Sequence, residues 1–125
     1  MKDEPISRLM QVGTRAIAAD DKVQAIETFL TSQGLHWAPV IGDRGELIGV
    51  ISATDLVRFQ LDKGAGNSIA AWQLCTYKPI TVDVDTPIGE VARLMHDHHI
   101  HHVVVTEHGA MRGVVSAMDF VKTFT

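Results

Sequence analysis

Apolar positions along this chain fall into short blocks, and the blocks come twice. Ile88, Val91, Ala92 and Met95 follow one another at i, i+3, i+4 and i+7, the single stripe of an amphipathic helix. Thr86 is its expected N-cap and Pro87 its first helical residue, where a missing N–H costs nothing. In the first half Asp21 takes the capping place, with Val23, Ile26 and Leu30 facing inward and Phe29 beside them. A short strand precedes each helix, near Ala16 to Ala19 and Ile80 to Val84. Two strands follow each. Ala38 to Ile41 and Leu47 to Ile51 flank the turn Gly42-Asp43-Arg44-Gly45; Val103 to Val105 and Met111 to Val115 flank Glu107-His108-Gly109. Both pairs read as hairpins. A closing helix is expected over about Ala53 to Lys63 and again over about Ala117 to Phe124, with helical lead-ins at Ile6 to Met10 and Ser68 to Cys75.

The order is β-α-β-β-α, twice, an α/β (α+β) chain of two repeats related by a pseudo-twofold. Met10 to Ile17 aligns with Cys75 to Val82 at an offset of 65, and one residue is lost at the hairpin turn. Beyond it, Gly49-Val50-Ile51-Ser52-Ala53-Thr54-Asp55 matches Gly113-Val114-Val115-Ser116-Ala117-Met118-Asp119 at an offset of 64. A register held through one turn deletion points to duplication. The repeats are expected at 1–63 and 68–125, with a linker at 64–67 that its glycines mark. A half of about 60 residues would be marginal alone, which favours two halves sharing a core.

Composition narrows the function. The net charge is −4 and charged residues make up 21% of the chain, against the basic footprint that nucleic acid requires. The single cysteine, Cys75, excludes an intrachain disulfide and favours a reducing compartment. No 18-residue apolar run offers a membrane span, and the first residues lack a signal-peptide core. The expected location is therefore the cytoplasm. Cys75 aligns with Met10, an apolar lead-in position, and no Walker-type motif occurs. The chain is not expected to be an enzyme.

The twin Ser-x-x-Asp segments carry the candidate chemistry. Ser52 with Asp55, and Ser116 with Asp119, fit a capping box. The same geometry also suits a ligand: free N–H groups attract phosphate, and a first-turn aspartate can accept from two ribose hydroxyls. Six of the seven histidines fall between His96 and His108. They fit exposed positions at a helix end, phosphate contacts, or a metal site built on His98 and His102.

The two G-h-h-S-x-x-D segments and the Ala38-Pro39-Val40 strand resemble those of tandem CBS domains, also called a Bateman module. The resemblance spans about Ile6 to Thr125 and departs at Val104, where the family usually has proline. It implies a regulatory module that binds an adenosine-containing nucleotide (AMP, ADP, ATP or S-adenosylmethionine) in a cleft between the repeats. It also implies a homodimer forming a disc of four repeats, and a protein partner influenced in trans. In nucleotide-sensing members a His-Arg pair before the strand touches phosphates. His101-His102 is similar to that pair, and His36 holds the equivalent place in the first copy. Arg15 and Ile80 match positions that contact base or ribose in the family. The ligand set implied is thus Ser116, Asp119, His101, His102 and Ile80, with Ser52, Asp55, His36 and Arg15 in a second site. An aspartate at the ribose disfavours a 2′-phosphate. Two other readings stand beside this one: a zinc-responsive module using the His96–His102 cluster, and a ligand-free dimerisation module whose Ser/Asp pairs only cap helices.

Overall fold

The computed structural model describes residues 1–125 apart from Thr14, 64–67, Lys78, Phe124 and Thr125, and apart from the side chain of Lys63. The expected linker at 64–67 and the expected helix end at Phe124 therefore lie outside the described residues. The first repeat contributes β1 (Ile17–Ala18), α1 (Val23–Gln33), β2 (Trp37–Ile41), β3 (Leu47–Ser52) and α2 (Ala53–Lys63). A short helix α3 (Ala71–Leu74) and strand β4 (Thr76–Tyr77) follow. The second repeat contributes β5 (Thr81–Asp83), α4 (Ile88–His98), β6 (His102–Glu107), β7 (Ala110–Ser116) and α5 (Ala117–Lys122). The β-α-β-β-α order holds in both copies.

The strands form two sheets, ordered β1-β2-β3-β4 and β5-β6-β7. In each, the first strand runs parallel to the second, and the next two form an antiparallel hairpin. The second hairpin closes through His108 (φ 53°) and Gly109 (φ 82°). Two successive positive φ values make a tight turn whose twist suits the strands. This accounts for the residue lost relative to the first copy.

The chain divides into two compact units, Arg15–Pro79 and Met1–Thr14 with Ile80–Thr125. Most of the buried apolar residues fall into two clusters, one within each unit. Ile17, Val23, Ile26, Val40 and Ile51 centre the first; Ile6, Val91, Val103, Val105 and Val115 centre the second. Each unit thus takes the lead-in that precedes the other copy. Ile6, wholly buried, belongs to the second cluster. Ala71 and Cys75 belong to the first.

The exchanged lead-ins also explain the helix starts. Neither Asp21 nor Thr86 caps its helix; the cap positions are Lys22 and Pro87, and neither cap is made by a side chain. The first N–H groups of a helix need partners from somewhere. Backbone carbonyls of the lead-ins supply them: Ile88 N donates to Glu4 O (2.8 Å), Gly89 N to Lys2 O (2.8 Å), and Val23 N to Ile69 O (3.2 Å). Asp21 instead accepts from Ala18 N through Oδ2 (3.1 Å).

The repeated glycine of the motif follows from the same exchange. Gln11 bridges Val114, and Thr76 pairs with Val50, at equivalent places. A Cβ on Gly113 would lie 2.6 Å from the Gln11 carbonyl oxygen. One on Gly49 would meet the Thr76 carbonyl oxygen as closely. Only glycine lets the lead-in backbone cross the strand there.

Candidate functional site

The two Ser-x-x-Asp segments sit where β3 enters α2 and where β7 enters α5. Both form reciprocal capping boxes. Ser52 N donates to Asp55 Oδ2 (2.8 Å), and Asp55 N to Ser52 Oγ (3.2 Å). Ser116 N donates to Asp119 Oδ2 (2.8 Å), and Asp119 N to Ser116 Oγ (3.3 Å). Capping therefore uses one oxygen of each carboxylate. The other oxygen differs between copies. Asp55 Oδ1 faces the Arg58 guanidinium at 3.4 Å, on a side chain 66% exposed. Asp119 Oδ1 accepts from Gln11 Nε2 at 2.8 Å, and Asp119 is only 7% exposed. Gln11 was not among the residues singled out from sequence. It lies 108 positions away, and no local pattern joins the two.

The histidine pairs are split. His102 opens β6 directly opposite Ser116, and Trp37 holds the same place opposite Ser52. Cross-strand partners project on one face within about 5.5 Å, so His102 lies beside the second Ser-x-x-Asp. His101 and His36, one residue earlier, turn elsewhere. Their carbonyls accept from Ala117 N (2.9 Å) and Ala53 N (2.8 Å) at the helix starts. Their side chains line grooves on the helical faces. His36 joins Leu30, Leu35, Leu56, Val57 and Leu61 around a groove of about 580 Å³ between α1 and α2. His101 joins Met95, His96, His99, Ile100 and Phe120 around one of about 450 Å³ between α4 and α5. Arg15 is exposed ahead of β1, and Ile80 is 39% exposed ahead of β5.

His98 is exposed at the end of α4, and His102 is half-buried at the start of β6. Among the described residues, no group of three or more His, Cys, Asp or Glu side chains is placed to hold a metal ion. Cys75 is buried in the first core cluster, and burial pushes its thiol pKa up, the opposite of an activated nucleophile. Among the described residues, no helix is long and apolar enough to cross a membrane.

Comparison with known proteins fits this architecture. The CBS domain family profile matches residues 5–62 and 71–125. The chain is 30% identical over 124 residues to the uncharacterized protein MJ1225 of Methanocaldococcus jannaschii, covering 96% of this chain and 42% of that protein. It is 32% identical over 115 residues to the uncharacterized protein YlbB of Bacillus subtilis, covering 91% of this chain and 78% of that one. Among solved structures, CBSX2 in complex with AMP superimposes with a TM-score of 0.87 at 21% identity, over 97% of this chain and 96% of that one. The CBS domain pair of MJ0100, in complex with 5′-methylthioadenosine and S-adenosyl-L-methionine, gives 0.77 at 20% identity, over 96% and 94%. Hypoxic Response Protein I, with two coordinated zinc ions, gives 0.83 at 22% identity, over 94% and 97%. With both repeats matched by the family profile and the pair fold present, the chain belongs to the CBS domain family as a tandem CBS pair.

Proposed function

We propose that this chain is a non-catalytic regulatory module that binds an adenosine-containing nucleotide (AMP, ADP, ATP or S-adenosylmethionine) and acts on a protein partner in trans. The observation that carries the reading is the Asp119 carboxylate. It is buried, oriented by donors on both oxygens, and adjacent to Ser116 and His102. Asp119 takes the ribose hydroxyls, and Ser116 and His102 lie toward the phosphates. Structural relatives that hold AMP or S-adenosyl-L-methionine support this ligand class. The first-copy pair, Ser52 and Asp55, is the weaker site, because the second oxygen of its carboxylate already faces the Arg58 cation.

Two copies of the chain associate through the helical grooves. Leu61 (82% exposed) and Val57 (58%) line the groove beside α2, and Met118 (58%) and Val121 (49%) are exposed on α5. Clustered exposed apolar side chains of this kind mark association surfaces.

A thermal-shift panel of AMP, ADP, ATP, S-adenosylmethionine and zinc tests the nucleotide reading. A ligand at about 100 times its Kd adds about 2.7 kcal/mol. The expected result is a shift with at least one adenosine ligand, abolished in Asp119→Ala with the fold intact. No shift with any of them refutes the reading, and a shift with zinc alone replaces it by the metal-responsive one.

A further inference from the structure

An ionised carboxylate offers about four acceptor positions, two on each oxygen. At Asp119, the Ser116 N–H occupies Oδ2 and the Gln11 side-chain amide occupies Oδ1, each at 2.8 Å. Among the described residues, one donor per oxygen leaves one acceptor position on each unfilled. A vicinal diol supplies one O–H to each oxygen, so the pinned carboxylate complements it. The pin is not part of the repeated motif. The repeat register puts Thr76 where Gln11 stands, and Lys122 where Arg58 stands. In the first copy the second oxygen of Asp55 faces an exposed, charged guanidinium instead. Gln11 is neutral and leaves the carboxylate its charge, which strengthens any hydroxyl bond that it accepts. Gln11 is itself seated by the main chain. Its N–H donates to Val114 O (2.9 Å), and its carbonyl accepts from Val114 N (3.1 Å). The missing Cβ of Gly113 makes that approach possible.

We propose that Gln11 is a positioning residue of the nucleotide site and that, by orienting Asp119, it makes the site selective for an intact ribose 2′,3′-diol. This rests on the nucleotide reading above. The test is calorimetric titration of the wild-type chain, Gln11→Ala and Gln11→Lys with AMP and 2′-deoxy-AMP. A hydrogen bond to a charged acceptor corresponds to about tenfold or more in affinity, so the wild type should prefer AMP by about that factor. In Gln11→Ala the preference should fall to about threefold or less. Gln11→Lys keeps an N–H donor but sets a cation against the carboxylate, as Arg58 does in the first copy, and should not restore it. A purely structural role would weaken both ligands together and leave the ratio unmoved, and that result overturns the inference. If the wild type binds AMP and Gln11→Ala keeps the full preference, this inference alone fails. If the wild type binds another adenosine ligand of the thermal-shift panel instead of AMP, the same comparison is made with that ligand and its 2′-deoxy form; if it binds none of them, the nucleotide reading fails as well.

Discussion

Gly113→Ala is the sharpest probe of the exchanged lead-in. The new Cβ would sit 2.6 Å from the Gln11 carbonyl oxygen and 2.9 Å from Met10 Sδ. Carbon–oxygen contacts of this kind begin at about 3.3 Å. The thioether can swing aside, but the carbonyl belongs to a backbone hydrogen-bonded to Val114. Two responses compete. If the pairing holds, the overpacking costs about 1–3 kcal/mol. If the lead-in parts from β7, two backbone hydrogen bonds are lost at about 1 kcal/mol each. The Gln11–Asp119 bond, with its charged acceptor, goes too, at about 1.5–3 kcal/mol. The cheaper response sets the outcome, so the expected loss in urea unfolding is about 1–3 kcal/mol. Gly109→Ala is the control. It faces open space at φ +82° and should cost about 1–2 kcal/mol through left-handed backbone strain alone. Amide exchange separates the two mechanisms: Gly113→Ala should speed exchange at Gln11 and Val114, and Gly109→Ala should not. Unchanged exchange at both amides in Gly113→Ala, or equal acceleration in the control, would refute the close-approach argument.

Other outcomes follow from the same geometry. His102→Ala should weaken AMP binding several-fold by titration, whereas His101→Ala should leave it unchanged, because only His102 faces Ser116. Leu61→Glu, which places a charge on the 82% exposed apolar position of α2, should shift the proposed dimer toward monomer in sedimentation velocity with little loss of thermal stability. Cys75 should react with a thiol reagent more slowly than free cysteine at any given pH. Burial raises its pKa and so lowers its thiolate fraction, and the rate should jump only when urea unfolds the chain.

The β-α-β-β-α order was legible because each element carries its own period. The α4 stripe Ile88, Val91 and Met95 is buried as the spacing demands, and Val103 to Val105 is wholly buried as an apolar run should be. The lead-in exchange was not legible. Ile6 is one buried side chain in a stretch otherwise mostly exposed, and β4 has two residues, too few for any period. The caps at Asp21 and Thr86 were misplaced for the same reason, since the groups that serve α1 and α4 are backbone carbonyls from distant segments, which have no residue signature. One signal was available. A glycine repeated inside a strand, Gly49 and Gly113, marks a close backbone approach and could have directed attention to Gln11 and Thr76. At the candidate site, the capping box of Ser116 and Asp119 followed from spacing. The separation of His101 from His102 follows from strand alternation, once β6 is known to begin at His102.

The exchanged lead-ins make the repeat and the folding unit different lengths of chain, and the difference can be measured. Residues 1–63 hold one complete repeat, β1 through α2. They lack Ala71 and Cys75, which belong to the core cluster of that repeat, and Ile69 and Leu74, which pack against it. They also lack the Ile69 carbonyl that accepts from Val23 N, and β4, which pairs with Gly49 and Val50. Residues 15–79 contain every member of that cluster and all of these partners. Both pieces are near the length of about 60 residues at which a domain is marginal, so the missing contacts should decide. Residues 15–79 are expected to give a cooperative thermal transition and dispersed amide resonances. Residues 1–63, with Ile6 exposed to solvent and the first core open on one side, should give neither. Equal cooperativity in the two pieces would mean that the lead-in contributes little to the unit it joins. The crossing at Gly49 and Gly113 would then be a consequence of the fold and not a support for it.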